Sequence, residues 1–355
     1  MLAGRVISAN SSAGPPVQSG LQRDFQPLFH NPHLLTIAGN FWPRKIDEDR
    51  FPPVCRQYQI DQQTSILVYE HQPEAPPRGQ IVCIHGLEGS ANAGYILSLC
   101  QAALLRGFGV HRMNLRSCGG TEHLCQTMYH SGLTSDTWTI LAEIVERHLG
   151  PVFLAGFSLG GNVALKLAGE LGETDLLAGV CAVSTPIDLA ECVRQIDRPS
   201  NLLYARRFLS RLKDRIRRKS RLSSDTYTAS GLDEVKTIWQ FDDKFTAPLF
   251  GFGTAANYYD TQSSCRFLHS IRVPALLVTA KDDPLVPFRI YDHPAIESNA
   301  ALELLAPEHG GHLGFLARTR PRFWLDGILL DWMDSLLSGK KERSRGTNVH
   351  RFTSA

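Results

Sequence analysis

The stretch Gly156-Phe157-Ser158-Leu159-Gly160-Gly161-Asn162 decides how the rest of this chain is arranged. It follows a short apolar run at residues 151–155 and precedes a run with helical spacing at residues 163–171. A strand, a Gly-x-Ser-x-Gly turn and a helix form the context of a nucleophile elbow, in which a serine projects from a sharp turn. The glycines two residues either side of the serine keep those positions small, because strand and helix pass close there. The alternative is a serine in an ordinary strand-to-helix turn.

Length and composition suit one large α/β domain or two smaller ones, since 43% of the 355 residues are hydrophobic and 20% are charged. The net charge of +2 gives no argument for nucleic acid as a partner. The eight cysteines form no Cys-x-x-Cys pair, which indicates reduced, mostly buried thiols in a cytoplasmic protein. A zinc site built from His123, Cys125 and His130 would match no familiar ligand spacing, so we expect neither a metal nor a cofactor.

The two ends of the chain differ in composition from its middle. Residues 1–24 are rich in serine, glycine and proline, and they predict a disordered arm without the apolar core of a signal peptide. Residues 25–53 are dense in aromatics and prolines, which favours an irregular segment docked on the domain. The polar residues 339–355 predict a frayed tail, so the folded domain is expected at 25–338. No apolar run reaches the roughly 18 residues that a membrane-spanning helix needs.

Strand-like and helix-like runs alternate from residue 80 onward, which predicts an α/β fold with a mostly parallel central sheet and helices on both faces. Residues 80–85 are almost continuously apolar, as a strand buried on both faces should be. Similar runs follow at residues 108–114, 151–155, 177–184, 273–280 and 302–306. Residues of about 187–270 break the alternation and predict a mainly helical cap above the carboxyl ends of the strands, where ligands bind in such sheets.

The serine of the elbow requires two partners to act as a nucleophile. Its hydroxyl needs a base at neutral pH, and the base needs an orienting carboxylate. In elbow folds the acid and then the histidine follow the serine along the chain. Asp283 comes just after the predicted strand 273–280 and is assigned as the carboxylate, with Asp282 as the alternative. His312, in a glycine-rich loop after the last predicted strand, is the predicted base, and His309 is the less favoured choice.

Donors for a developing oxyanion are expected on two backbone segments. The N–H of Leu159 lies at a predicted helix start, where unpaired donors and the helix dipole favour negative charge. The N–H of Leu87 is the predicted second donor, in the loop after the strand at 80–85. His85 and Gly86 precede it, and both are expected to border the substrate, with Gly86 permitting close approach of the backbone.

Several motifs together resemble the YheT-like branch of the α/β-hydrolase superfamily. They span nearly the whole chain, at residues 31–36, 40–44, 85–89, 114–120, 156–162, 245–252, 258–259, 280–283 and 310–315. The resemblance implies the α/β-hydrolase fold and a carboxylic ester hydrolase with a triad of Ser158, Asp283 and His312. It also implies relatives associated with short-chain esters and lipids.

Two other functions are compatible with the same residues. An acyltransferase would use the same triad with an alcohol in place of water, and a ligand-binding protein could use the scaffold without catalysis. A haloalkane dehalogenase is disfavoured because the nucleophile position is serine and not aspartate.

A basic segment at residues 206–221 has two interpretations. Nine cations surround a single acid, Asp214. The cations are Arg206, Arg207, Arg211, Lys213, Arg215, Arg217, Arg218, Lys219 and Arg221. The apolar Phe208, Leu209, Leu212 and Ile216 follow a helical stripe between them. The segment is either the solvated face of a cap helix or an interfacial helix that meets anionic lipid.

Overall fold

Nine strands in the described part of the chain pair into one sheet. The computed structural model describes residues 5–7, 25–147 and 149–348. The strands are β1 (Arg5–Ile7), β2 (Val54–Asp61), β3 (Thr64–His71), β4 (Gln80–Ile84), β5 (Gly109–Met113), β6 (Val152–Phe157), β7 (Gly179–Val183), β8 (Ala275–Val278) and β9 (Leu302–Leu305). Their spatial order is β1-β9-β8-β7-β6-β4-β5-β3-β2, and only the β2–β3 and β3–β5 pairs are antiparallel. The predicted mostly parallel sheet is therefore confirmed.

The central strands are apolar because each supplies side chains to two separate cores. In β4, Ile81 and Cys83 belong to one apolar cluster, whereas Val82 and Ile84 belong to another on the opposite face. All four of these side chains are fully buried. Alternation between two buried faces produces the continuous apolar run that the sequence shows at this strand.

Helices cover both faces of the sheet. They are α1 (Pro32–Phe41), α2 (Gly94–Leu105), α3 (Ser135–Glu146), α4 (Leu159–Leu171), α5 (Leu189–Ile196), α6 (Leu202–Leu222), α7 (Ile238–Phe241), α8 (Ala247–Leu249), α9 (Ala255–Gln262), α10 (Pro294–Ser298) and α11 (Trp324–Asn348). The apolar sides of α2 and α11 pack into one cluster, and those of α3 and α4 pack into the other. None of the helices in the described ranges combines the length and the apolar character needed to cross a bilayer.

The elbow at the end of β6 brings α4 very close to β4. A Cβ added to Gly160 would lie 2.2 Å from the carbonyl oxygen of Ile84, and one added to Gly156 would lie 2.3 Å from the carbonyl oxygen of Gly160. Both distances are far below a van der Waals contact, so only glycine fits. Ser158 between them has a φ of 53°, a conformation that side-chain-bearing residues rarely adopt.

The segment after residue 24 is more regular than the sequence indicated. Instead of an irregular stretch, residues 32–41 form α1, which begins with Pro32 in its first turn. The side chain of Asn31 caps the helix by accepting hydrogen bonds from the N–H groups of His33 and Leu34, at 2.9 and 3.1 Å. An asparagine cap followed by proline is an ordinary helix-start signal that the density of aromatics concealed.

The chain ends also differ in part from the predicted arm and tail. Residues 5–7 pair in parallel with β9 as β1, which covers a sheet edge that would otherwise present unpaired backbone groups. The rest of the arm, residues 1–4 and 8–24, lies outside the described residues. Helix α11 continues to Asn348, well into the predicted tail, and residues 349–355 of that tail also lie outside the described residues.

The segment predicted as a cap contains α5 to α9 and carries its own small apolar clusters. In one of them, Leu209, Leu212 and Ile216 of α6 pack against Phe241. The apolar stripe of the basic segment therefore faces inward and is not free to meet lipid. Helices α7 and α8 are joined by a π-helical turn at Asp242–Thr246, so the three pieces form one interrupted helix.

We expect Gly160→Ala to destabilise the fold by about 1–3 kcal/mol or more, because its methyl group would overlap the Ile84 carbonyl. The measurement is urea unfolding followed by far-UV circular dichroism. Gly94→Ala is the matched control, since a Cβ there would meet nothing closer than 3.5 Å. Equal unfolding midpoints for the two variants would contradict the proposed steric constraint.

Candidate active site

Three side chains meet at the carboxyl ends of β6, β8 and β9. The Nε2 atom of His312 lies 3.0 Å from the Oγ of Ser158, and its Nδ1 lies 2.8 Å from the Oδ2 of Asp283. An ionised carboxylate only accepts hydrogen bonds, so Nδ1 carries the proton and Nε2 is left to accept from the serine. This arrangement gives the serine a base whose ring is held in the required tautomer.

Backbone donors hold the Asp283 carboxylate in place. Its Oδ1 accepts hydrogen bonds from the N–H groups of Leu285 and Val286, at 2.8 and 3.0 Å. The carboxylate side chain is fully buried. These two contacts occupy one oxygen and direct the other toward His312, so the carboxylate has little freedom to turn away from the ring.

The alternative pair of residues, Asp282 and His309, takes a different place. Oδ1 of Asp282 accepts from the N–H of Gly311 at 2.9 Å, and Oδ2 lies 3.1 Å from Nδ1 of His309. Neither side chain contacts the serine. Their geometry is that of a support for the loop that carries His312.

That loop is also fixed by α1. The backbone N–H of His312 donates to Oγ1 of Thr36 at 2.9 Å, and the hydroxyl of Thr36 donates to the carbonyl of Pro32 at 2.7 Å. A Cβ on Gly311 would lie 2.5 Å from that same carbonyl, and Gly311 has a φ of 55°. The glycines around the histidine are therefore required for the loop to pass against α1.

The two residues with the predicted donor N–H groups, Leu87 and Leu159, lie near the serine. Leu159 is the first residue of α4, and its N–H therefore has no acceptor in the preceding helical turn. Leu87 lies in the loop after β4 and lines the same cavity as Ser158 and Leu159. Gly86 lies against the serine, since a Cβ there would come within 3.0 Å of the Ser158 Cβ. The Gly86 backbone therefore lies directly against the serine, and its approach to a substrate stays a prediction.

The prediction that His85 borders the substrate is wrong for its side chain. The ring is fully buried, its Nδ1 lies 2.8 Å from the carbonyl of Gly86, and its Nε2 accepts from the N–H of Leu115 at 3.1 Å. Burial lowers the pKa of His85 to about 4, so the ring is neutral. Both nitrogens are used to tie the loop after β4 to the loop after β5, and neither is available to a ligand.

A mostly apolar cavity extends from the serine into the cap. Its walls come from the sheet end and from α5, α6 and α7. They include Leu189, Val193, Ile196, Phe208, Leu212, Ile238 and Phe241. Ser158 and His312 lie on its surface as well. An apolar group bound here would lie beside the serine hydroxyl.

A buried ion pair between the cap and the Leu87 loop was not predicted. Arg215 of α6 donates from Nε and Nη2 to the two carboxylate oxygens of Glu88, each at 2.9 Å. Both side chains are almost completely inaccessible to solvent. The N–H of Glu88 also donates to the hydroxyl of Tyr129 at 2.9 Å, and Arg211 donates to the Glu88 carbonyl. The cap therefore holds the loop that carries one predicted oxyanion donor.

A sequence signal for this ion pair did exist. Arg215 is three residues after Leu212 and directly before Ile216, so it shares the inward face of α6. A cation on the apolar side of a helix needs a buried partner, whereas the charge count alone placed Arg215 with the other cations, either on a solvated face or at a lipid surface.

A second acid, the half-buried Asp242, lines the cavity at the start of the π-helical turn. It accepts hydrogen bonds from the hydroxyls of Thr246 and Tyr259, each at 2.6 Å. Burial raises the pKa of Asp242 to about 6. The cavity thus combines an apolar wall with one carboxyl group that titrates near neutral pH.

His130, one of the three residues considered for zinc, also lines this cavity. Its ring packs against those of Phe250, Phe252 and Tyr258, with centroids 4.7 to 6.1 Å apart. Burial lowers the pKa of His130 to about 3, so the ring is neutral. No group of three or more metal-binding side chains converges within the described ranges. His130 is therefore part of an aromatic wall in this structure.

The fold and the arrangement around Ser158 define a hydrolase of the α/β class. The sequence profile of the alpha/beta hydrolase family matches residues 81–324, more than half of the chain. The chain belongs to the alpha/beta hydrolase family.

Individual relatives agree with this assignment. One relative is YheT of Escherichia coli (strain K12), whose name provisionally describes it as an esterase. It is 31% identical to this chain, and the match covers 89% of this chain and 95% of YheT. The predicted resemblance to the YheT-like branch is thereby confirmed. Phospholipase ABHD3 of Mus musculus is 26% identical to this chain, and the match covers 76% of this chain and 67% of ABHD3. The solved structure of the Pyrococcus furiosus esterase Pf2001 has a TM-score of 0.52 at 14% identity, covering 82% of this chain and 99% of that one, and so supports the fold.

We expect Asp242→Asn to alter how stability depends on pH. The raised pKa means that the folded protein binds this proton more tightly than the unfolded chain does. The resulting contribution to stability is present at low pH and is lost as the pH rises through about 6. The stability of the variant relative to the wild type should therefore increase by on the order of 2–3 kcal/mol between about pH 4 and about pH 8.

Urea unfolding across this pH range measures the effect. Asp225→Asn, which removes an exposed carboxylate, is the matched control for the loss of one charge. A constant difference between Asp242→Asn and the wild type at every pH would contradict the raised pKa.

Proposed function

We propose that this protein is a serine hydrolase of carboxylic esters that works through an acyl-enzyme on Ser158. The proposal rests on one observation above the others. A continuous hydrogen-bonded chain runs from the buried Asp283 carboxylate through His312 to the Ser158 hydroxyl, and it ends in an apolar cavity. This is the arrangement that converts a weak hydroxyl nucleophile into an effective one.

The reaction follows from the positions of these groups. His312 accepts the Ser158 proton at Nε2 as Oγ attacks the ester carbonyl, and Asp283 stabilises the imidazolium through Nδ1. The tetrahedral oxygen receives hydrogen bonds from the N–H groups of Leu87 and Leu159. His312 then donates its proton to the leaving alcohol. In the second half, water attacks the acyl-enzyme with the same histidine as the base, and the free acid leaves.

The substrate class we propose is an ester with an apolar acyl group, either short-chain or lipid-like. The walls formed by α5, α6 and α7 support it, because their leucine, isoleucine and phenylalanine side chains would gain free energy by covering a hydrocarbon chain. The names of the relatives, an esterase and a phospholipase, point to the same class.

We also propose a cytoplasmic location. All eight cysteines are free in this structure, and six of them are buried. This is consistent with a reducing compartment, in which thiols serve as small apolar side chains.

We expect Ser158→Ala to reduce turnover of activated esters by at least roughly a thousandfold. The reason is that the variant keeps the cavity and the donors but has no nucleophile. A series of nitrophenyl esters of increasing acyl length, assayed on wild type and variant, tests the chemistry and the size of the cavity together. The proposal would be contradicted if a fluorophosphonate probe did not label the wild type and the Ser158→Ala variant retained full activity.

The two neighbouring aspartates should differ sharply in their effect. Asp283→Asn should lower kcat by about 10³–10⁴-fold, because an amide at this position favours the wrong tautomer of His312. Asp282→Asn is the matched control. It should cost less than about tenfold, because asparagine still offers an acceptor to the Gly311 N–H. Comparable losses in kcat for the two variants would refute the assignment of the carboxylate.

A further inference from the structure

The outer face of α1 carries an exposed apolar stripe. Leu34, Ile37 and Phe41 are spaced three and four residues apart and so lie on one side of the helix. Their exposed fractions are 52%, 47% and 64%, which is high for large apolar side chains that follow one another on one element. In contrast, Leu35, Thr36 and Gly39 on the inner face are buried.

The beginning of α6 extends this stripe. The Arg207 guanidinium lies 5.2 Å from the centre of the Phe41 ring, and the Tyr204 and His33 rings stack with centroids 5.8 Å apart. Leu203, which is 79% exposed, is one helical turn before Arg207 and therefore on the same side of α6. We refer to Leu34, Ile37, Phe41, Leu203, Arg206 and Arg207 as the α1–α6 surface.

The charge of the α1–α6 surface is positive. Helix α1 contains no acidic residue, and the one acid of α6, Asp214, pairs with Arg217 at 2.9 Å. Within the described ranges, Arg206 and Arg207 have no carboxylate at ion-pair distance. An apolar stripe bordered by unpaired arginines suits an anionic lipid surface, because apolar side chains can enter the acyl boundary while guanidinium groups stay with the headgroups.

We propose that the α1–α6 surface docks the protein onto anionic lipid membranes. This differs from the interfacial helix that the sequence suggested, since the apolar stripe of α6 itself packs inside the cap. The lipid-facing apolar side chains come from α1 and Leu203, and α6 supplies the cations. Docking here would involve no side chain of the cavity that contains Ser158.

The α1–α6 surface lies close to the active site, so docking would bring the site near the membrane. Thr36, on the inner face of α1, accepts the hydrogen bond from the His312 N–H. A membrane on the outer face would therefore lie about one helix diameter, roughly 10 Å, from the loop that carries His312. A lipid ester leaving that membrane would have a short path to the cavity.

Vesicle sedimentation tests the proposal. The full-length protein should bind vesicles of phosphatidylcholine mixed with phosphatidylglycerol, and binding should fall with added salt and with removal of phosphatidylglycerol. Arg206→Gln and Arg207→Gln should each weaken partitioning by about fivefold. The triple variant Leu34→Gln, Ile37→Gln and Phe41→Gln should weaken partitioning by on the order of tenfold or more, because it removes the apolar stripe.

Controls separate docking from folding and from turnover. Val54→Ser removes a side chain that is 59% exposed on β2, at the far edge of the sheet, and should leave binding unchanged. All variants should keep the wild-type urea midpoint and wild-type activity on a soluble short-chain ester. Because vesicle binding is measured without turnover, its result is independent of the proposed ester hydrolysis.

Two outcomes would overturn the proposal. One is that the wild type does not bind anionic vesicles, or that the triple variant binds them as strongly as the wild type does. The other is self-association that the triple variant abolishes, without vesicle binding, which would identify the α1–α6 surface as an interface between two copies of this chain.

Discussion

The close contact between the first turn of α4 and the end of β4 is the constraint on which the site depends. Gly160 lies so near the Ile84 carbonyl that even a methyl group has no room. This contact sets the distance between the serine, which precedes α4, and the loop that follows β4. Oxyanion stabilisation requires donors within hydrogen-bonding distance of one oxygen position, so a displacement of about 1 Å would cost much of the effect. The backbone packing therefore sets where the predicted donor of the loop after β4 lies relative to the serine.

The cap holds the same loop from the other side. Glu88 has a φ of 55°, and its carboxylate is buried with Arg215 of α6. Two charges removed from water are tolerated only when each satisfies the other, and removal of one partner is strongly destabilising. The loop after β4 is thus held by α4 on one side and by α6 on the other. On this reading, the cap is a structural part of the predicted oxyanion hole as well as a wall of the cavity.

The sequence predicted the fold, and it predicted the three side chains that meet at the sheet edge, because the order of residues and the strand ends are visible in it. Ser158, Asp283 and His312 each follow a recognisable strand, and parallel strands place such residues at one edge. What it could not show is the direction in which a side chain points within a loop. His85 sits at the expected strand end, yet its ring turns inward to bind two backbone groups. Arg215 was counted with its charged neighbours, although its helical position marked it as buried.

Helix α1 explains why a segment far from the elbow in sequence matters to the site. Two positions of its inner face are restricted, because Gly39 touches Gly314 and Thr36 receives the His312 N–H. A Cβ on Gly39 would lie 2.6 Å from the Gly314 Cα, so this position allows no larger residue. The outer face has no such restriction from packing, and yet it carries Leu34 and Phe41 in contact with solvent. Large apolar side chains that no packing requirement explains indicate a requirement imposed from outside the fold.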